Sequence, residues 1–400
     1  MSRVLAFGLV LVVGCAGNRP TSLEAGSPVS ESNLRATVEK LVSFGTRNSL
    51  STKGIAGAAA WLKGEFEKVP GLRVEYHEFT DPKLKRGGEL VLQRNVIATL
   101  RGTARADEVV VFGAHYDSLN LRDKENPDAI APGANDNATG TAGVLEAARI
   151  LAGTPHDRTI VFACFSAEEQ GLIGAWHYAK HLKESGVNVV AMLNNDIIGG
   201  AKDDEGRRLN ENRLRCFSAP PQESDSRRFA RLAKIVIERK MTDFTVLVQD
   251  AVDRPRRAGD HKSFNAHGFT AIRFIEGVET DVVHHTPQDV IGRIHFPYCA
   301  RVVEADIALL ANLASAPPAP GAPEMRTEGN LLKVSWKAVD GAVRYLVAAR
   351  MGTLEFANVM SVGGPETRFD VQEGAGISIC VAAVDESGHI SLFSPESTVP

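Results

Sequence analysis

A chain of 400 residues with 45 basic and 49 acidic side chains carries a formal charge of −4. That length is enough for two or three domains with genuine cores. Mild acidity argues against nucleic acid as a partner, since phosphate binding needs a basic face, and no block of like charge is long enough to act as an interaction tail.

The N-terminus reads MSRVLAFGLVLVVGC, with Arg3 ahead of an apolar run over residues 4–13. The run is too short to span a bilayer and has signal-peptide proportions. Its end, LVVGC, resembles a bacterial lipobox. That resemblance implies a signal peptide over residues 1–14, cleavage before Cys15, a lipid on the Cys15 thiol as the only membrane attachment, and export to the periplasm or cell surface; the alternative is an ordinary signal peptide that happens to contain a cysteine, and a secreted protein. Residues 15–32 are polar, with Gly, Pro and Ser, and read as a tether. The other cysteines, Cys164, Cys216, Cys299 and Cys380, show no CxxC pair or dense framework. Cys164 and Cys380 sit in apolar runs as small hydrophobes; a Cys216–Cys299 pair is left open.

Helical spacing covers residues 33–44 and 54–69, and residues 72–79 alternate like a strand. Short β-rich runs follow at 95–100 and 109–112, then an Ala-rich helix at 138–151. A buried strand at 159–165, a helix at 172–182 and a strand at 187–193 continue the rhythm. A helix at 227–239, strands at 244–248 and 271–275, and a long helix from 297 to about 313 close the unit. Buried strands alternating with helices predict an α/β sandwich with a largely parallel sheet over residues 33–314, whose ligands gather at the carboxyl ends of strands. ASAPPAPGAPE marks a Pro/Ala linker at 315–323. Residues 324–400 carry short alternating runs (LLKVSW, RYLVAAR, ISICVAAV) and predict a small all-β sandwich. Trp336, Tyr345 and AVDESG resemble a fibronectin type III module, although Ile379 stands where that family has a corner tyrosine.

Five ligand-type residues follow apolar runs: His115 in VVVFGAHYDS, Asp136 in PGANDNATG, Glu169 in FACFSAEEQG, Asp196 in AMLNNDIIGG and His285 in VVHHTPQD. Two histidines and three carboxylates suit a pair of divalent ions sharing one carboxylate. Asp117, two residues past His115, can accept its other ring N–H. Glu168 and Glu169 stand at the expected start of a helix; one carboxylate can bind metal while Glu168 moves protons.

In this order, H-x-D, ND, EE, D and HT, the motifs resemble the co-catalytic zinc aminopeptidase family, which also holds glutaminyl cyclases and glutamate carboxypeptidase. The resemblance covers about residues 34–313. It implies a three-layer zinc-exopeptidase fold and two Zn2+ ions, with peptide or protein N-termini as substrate. Asp136 would bridge the ions, Glu169 and His285 would complete one site, His115 and Asp196 the other, and Glu168 would be the general base. It also implies a cis peptide between Asp136 and Asn137, supporting roles for Asp260 and His261 in AGDHKSF and for Asp289, and places His284 where relatives carry an aromatic residue. His284 is therefore a candidate donor to the oxyanion.

Two other readings remain. Glutaminyl cyclases share the fold but usually have a serine after the bridging aspartate and a tryptophan before the last histidine; here Asn137 and His284 occupy those places. A surface adhesin with the large domain as inert scaffold is the other; the complete ligand set argues against it. No GxSxG elbow or HExxH helix is present.

Overall fold

The computed structural model describes residues 29–200, 202, 205–254, 257–279, 283–370 and 376–399. The signal peptide, Cys15 and the tether up to Pro28 lie outside the described residues.

Two helices, α1 (Glu31–Val42) and α2 (Gly54–Glu67), precede β1 (Leu72–Phe79) and a small hairpin of β2 (Lys85–Arg86) and β3 (Glu89–Leu90). Then come β4 (Gln93–Leu100), β5 (Arg105–His115), α3 (Gly140–Leu151), β6 (Arg158–Phe165), α4 (Ile173–Glu184) and β7 (Asn188–Asn195). The unit ends with β8 (Arg213–Ser218), α5 (Asp225–Lys240), β9 (Thr245–Val248), α6 (His261–Ala266), β10 (Ala271–Glu276) and α7 (Phe296–Ser315). Eight strands form one sheet in the order β1-β4-β6-β5-β7-β10-β8-β9. Its centre, β6-β5-β7-β10, is parallel.

Alternation along β5 explains the layers. Val110, Phe112 and Ala114 pack under α1, α2, α3, α5 and α7. Val109 and Val111 face α4 and α6 on the other side. A sheet covered on both faces needs continuous apolar strands, and β6 is buried at every position. The three-layer α/β expectation holds.

Several boundaries differ from the sequence reading. The folded unit begins before residue 33: Val29 is buried, Ser30 caps α1, and the Ser30 N–H donates to Glu146. Strand β8, which lies between β10 and the edge strand β9, escaped the reading because Arg213 and Arg215 interrupt its apolar positions. The helix after Glu169 starts only at Ile173, so the paired glutamates sit in a turn rather than at a helix N-terminus. The expected helix from 138 begins at Gly140, behind a π-type turn over Ala134–Thr139. Cys164, Cys216, Cys299 and Cys380 are all buried free thiols, so the Cys216–Cys299 pair does not form.

The C-terminal unit has β11 (Glu324–Glu328), β12 (Leu331–Ser335), β13 (Arg344–Arg350), β14 (Asn358–Val362), β15 (Glu366–Asp370), β16 (Ile377–Val384) and β17 (Ser397–Val399). They form two antiparallel sheets, β11-β12-β15 and β14-β13-β16-β17. Tyr345, Val347, Ile379 and Val381 fill the space between them with Leu332, Val334 and Trp336. The opposite face of β13 and β16, including Leu346, Ala348, Cys380 and Ala382, joins the core of the large unit. These two strands are thus buried on both sides, which accounts for their unbroken apolar sequence. The Pro/Ala segment is also tied down: Arg158 donates to the carbonyls of Leu313 and Ala316.

Candidate metal centre

Three neighbouring parallel strands deliver the site. His115 is the last residue of β5, Glu168 and Glu169 follow β6, and Asp196 directly follows β7. Asp136 comes from the π-type turn and His285 from the segment between β10 and α7. All six line one cleft of about 210 Å³.

The separations allow a test of fit. Donor atoms about 2.0–2.1 Å from a tetrahedral dication stand roughly 3.3 Å apart. His115 Nε2 lies 3.3 Å from Asp136 Oδ1 and 3.5 Å from Asp196 Oδ1. His285 Nε2 lies 3.0 Å from both Asp136 Oδ2 and Glu169 Oε2. Asp136 therefore turns one oxygen toward each histidine, as a carboxylate shared by two ions must. Ligand-type atoms of His115, Glu168 and Asp196 fall within 4.8 Å of one another, so Glu168 reaches the same space.

Electrostatics point the same way. Burial opposes charge on His115, but Glu168, Asp117, Asp136 and Asp196 override it and raise its pKa well above the usual value. Burial likewise opposes charge on His285, yet Glu169 and Asp136 push it up to about 12. Burial, then Asp136, lifts Glu169 to about 7. Glu168 is raised well above the carboxylate range, by burial first and by the acidic neighbours Asp196, Glu169 and Asp260 next. A site anionic enough to hold buried histidines charged suits dications.

The backbone is bent to fit. Among the described residues other than glycine, φ is positive at four positions: Ala167 (55°), Leu172 (63°), Ile197 (64°) and His285 (56°). Three of these are, or directly adjoin, a proposed site residue, which is where strained conformations concentrate. The Asp136–Asn137 peptide is cis. Asn137 donates to the Asn195 carbonyl and accepts from the N–H groups of Gly140 and Ile197.

Supporting residues divide into two groups. Asp117 and Asp289 brace the ligand loops: Asp117 lies 3.5 Å from His115 Nδ1, and Asp289 accepts the N–H groups of Asn135 and Asp136, each at 2.9 Å. Asp260 is fully buried nearby, its pKa lifted to about 8, chiefly by burial. His261 instead lines a neighbouring cavity of about 580 Å³, not the metal cleft. His284 is the clearest departure from expectation. It is buried, its Nδ1 lies 3.6 Å from Glu279, and it takes no part in lining the cleft. The two consecutive histidines diverge, because Glu279 draws one and the metal carboxylates the other. The oxyanion role expected for His284 has no geometric support.

Three arginines were missed. Arg47 is fully buried and donates to the carbonyls of Leu41, Tyr116, Pro132 and Gly133, joining the loops that carry His115 and Asp136. Gly133 is needed there: its φ is 52°, and a Cβ would stand 2.9 Å from Arg47 Nη2 and 2.5 Å from the Asp136 carbonyl oxygen. Arg273 forms an ion pair with Asp196 at 3.0 Å, and Arg257 lines the cleft. An isolated Arg in a loop, such as Arg47 in FGTRNSL, gives no sequence signal that separates it from a surface residue.

Residues 95–310 match peptidase family M28. The chain belongs to that family. It is 36% identical to a probable zinc metalloprotease of Leptosphaeria maculans over 329 residues, covering 73% of this chain and 76% of the relative. A probable zinc metalloprotease of Pyrenophora tritici-repentis is 32% identical over 364 residues, covering 79% and 82%. Among solved structures, the M28 chain resembles an aminopeptidase of Legionella pneumophila, with a TM-score of 0.57 at 22% identity, covering 71% and 72%. A glutaminyl cyclase of Bacteroides thetaiotaomicron shares the fold with a TM-score of 0.56 at 18% identity, covering 71% and 98%.

Proposed function

We propose that this M28 protein is an exported zinc aminopeptidase that removes the first residue of peptides. The observation that carries the reading is the convergence of His115, Asp136, Glu169, Asp196, His285 and Glu168 on one cleft. The zinc metalloprotease names of its relatives support the metal, and the aminopeptidase folds support the reaction.

Asp136, Glu169 and His285 would hold one zinc ion, and His115, Asp136 and Asp196 the other. Two such ions supply Lewis acidity, lowering the pKa of a shared water and polarising the scissile carbonyl. The chain's own residues handle the rest. Glu168, raised in pKa by burial, takes the proton of the attacking water and returns it to the leaving amine. Asp117 fixes the orientation of His115 through Nδ1, leaving Nε2 for the metal. Asp289 holds the turn that presents Asp136.

Export rests on the signal-like N-terminus and Cys15, and the C-terminal sheets fit a fibronectin type III-like module. Labelled palmitate on the wild type but not on Cys15→Ser supports the anchor; no label removes it.

The deciding experiment offers the full chain one peptide with a free and with an acetylated N-terminus, with and without chelator. Release from the free peptide alone, lost with chelator and restored by zinc, supports the aminopeptidase. Equal cleavage of both forms overturns it. Pyroglutamate from an N-terminal Gln peptide, with no hydrolysis, replaces it with the cyclase.

A further inference from the structure

The two ligand sets are alike. Each offers one histidine, one terminal carboxylate and one oxygen of Asp136: His285 with Glu169 on one side, His115 with Asp196 on the other. Asp117 serves both sides, lying 3.5 Å from His115 Nδ1 and accepting the Glu169 N–H. The sides differ in what holds the terminal carboxylate.

Glu169 keeps an oxygen in reserve. Its Oε2 faces His285, and its Oε1 is buried with no hydrogen-bond partner. Asp196 has none to spare. Its Oδ1 faces His115, and its Oδ2 forms an ion pair with Arg273 Nη2 at 3.0 Å. The Arg273 and Asp196 side chains are nearly excluded from water, at 3% and 5% exposure. The contact follows from the sheet. Strand β10 runs parallel to β7 with Phe274 opposite Asn195, and the Phe274 carbonyl accepts the Asp196 N–H at 3.1 Å. Arg273 therefore stands beside the end of β7. It also donates to the Ala258 carbonyl, and its stem passes Gly259, where a Cβ would come within 2.8 Å of Cδ. Arg47, by contrast, donates to backbone carbonyls and occupies no ligand oxygen.

An anionic partner raises a ligand's basicity, and a guanidinium lowers it. Arg273 keeps its charge at any working pH, so its hold on Asp196 must be loosened before that carboxylate serves a dication fully. We propose that Arg273 competes with zinc for Asp196, so the two sides bind unequally: the Glu169–His285 side keeps its ion, and the His115–Asp196 side exchanges its ion. This rests on the two-ion reading above, in which Glu168, facing the same His115–Asp196 pair, carries protons rather than metal.

The test is calorimetric titration of the chelator-stripped full chain with zinc, which needs no turnover. Wild type should bind two ions in separate steps, the second at least about tenfold weaker than the first. In Arg273→Met the weaker step should tighten about 10- to 100-fold, the range over which a ligand's partner moves metal affinity, while the tighter step stays where it was. Arg273→Lys keeps the charge and should keep the weak step. Arg273→Gln, neutral and polar, carries the same expectation as the Met variant in case a purely apolar replacement prevents folding. Equal steps in wild type, or a weaker step that is unmoved or weakened further in the neutral variants, overturn the competition and leave the two-ion reading intact. One ion in wild type and two in Arg273→Met keep the competition and overturn the two-ion reading. One ion in every protein overturns both.

Discussion

Asp117 accepts the backbone N–H of Glu168 at 3.1 Å through one oxygen and that of Glu169 at 3.2 Å through the other. The same carboxylate lies 3.5 Å from His115 Nδ1. One buried anion thus sets three site residues from two strands. In Asp117→Asn the amide group must turn a donor toward one of these N–H groups. Zinc affinity should weaken about 10- to 100-fold, the usual scale for losing a ligand's hydrogen-bond partner. Competition with a chromophoric chelator measures it; unchanged affinity would show that Asp117 is only a fold element.

Glu168→Gln separates proton transfer from metal binding. The isosteric amide cannot take a proton, so kcat should fall about 10²- to 10⁴-fold. KM and bound zinc should stay near wild type. Loss of one equivalent of zinc would instead make Glu168 a ligand, since it stands as near His115 and Asp196 as a ligand would.

Arg47 keeps its charge inside the protein although burial lowers its pKa to about 10, because Asp289, Asp117, Asp136 and Glu169 oppose the loss. Arg47→Met strips donors from four buried carbonyls, each costing about 1–3 kcal/mol when unsatisfied. Urea unfolding of the chelator-treated protein should show a loss of at least about 3 kcal/mol. Arg47→Lys keeps charge but not the planar fork, and should fall between the two. A Met variant as stable as wild type would refute the brace.

The sequence makes some of this legible and hides the rest for physical reasons. Strands β5, β6 and β7 announced themselves by apolar runs, and polar residues at or just past their ends marked the candidate ligands, as with Asp196 after AMLNN. The distances that unite those residues depend on strand order, which no local pattern encodes. The resemblance made His284 an oxyanion candidate because relatives carry an aromatic residue there, whereas its Nδ1 lies 3.6 Å from Glu279, a loop residue that no local pattern ties to it. Arg47 acts through backbone carbonyls of Tyr116, Pro132 and Gly133, far away in sequence, and Arg257 pairs with Glu279 as well as with nearby Asp253. Strands β13 and β16 did carry a readable sign: YLVAA and ISICVAAV are too continuously apolar for a sandwich with a wet face.

That shared burial makes the C-terminal sandwich part of one cooperative unit. Arg231 of α5 pairs with Glu396 at 3.1 Å, and Arg350 of β13 pairs with the same carboxylate at 2.6 Å. All three side chains are nearly excluded from water. Glu396→Ala leaves two guanidinium groups without their anion, at a cost of about 3–5 kcal/mol. Calorimetry should show a single transition in wild type, shifted down in the variant. Two separate transitions in wild type would contradict the common core.

His77 on β1 gives the fold a pH dependence independent of metal. Asn95 Nδ2 lies 3.2 Å from its Nδ1, and its ring packs against Tyr178 and His181. Burial first, then His181 and His177, lowers its pKa from 6.5 to about 4. The unfolded chain therefore binds this proton more readily than the folded one. Stability from His77 is complete above pH 6.5 and is lost as the pH falls from there toward about 4. His77→Phe keeps the aromatic contacts and removes the titration. Urea denaturation of the chelator-treated protein across this window should give a shallower acid-side loss for the variant than for wild type. Parallel slopes would mean that His77 is as easily protonated folded as unfolded.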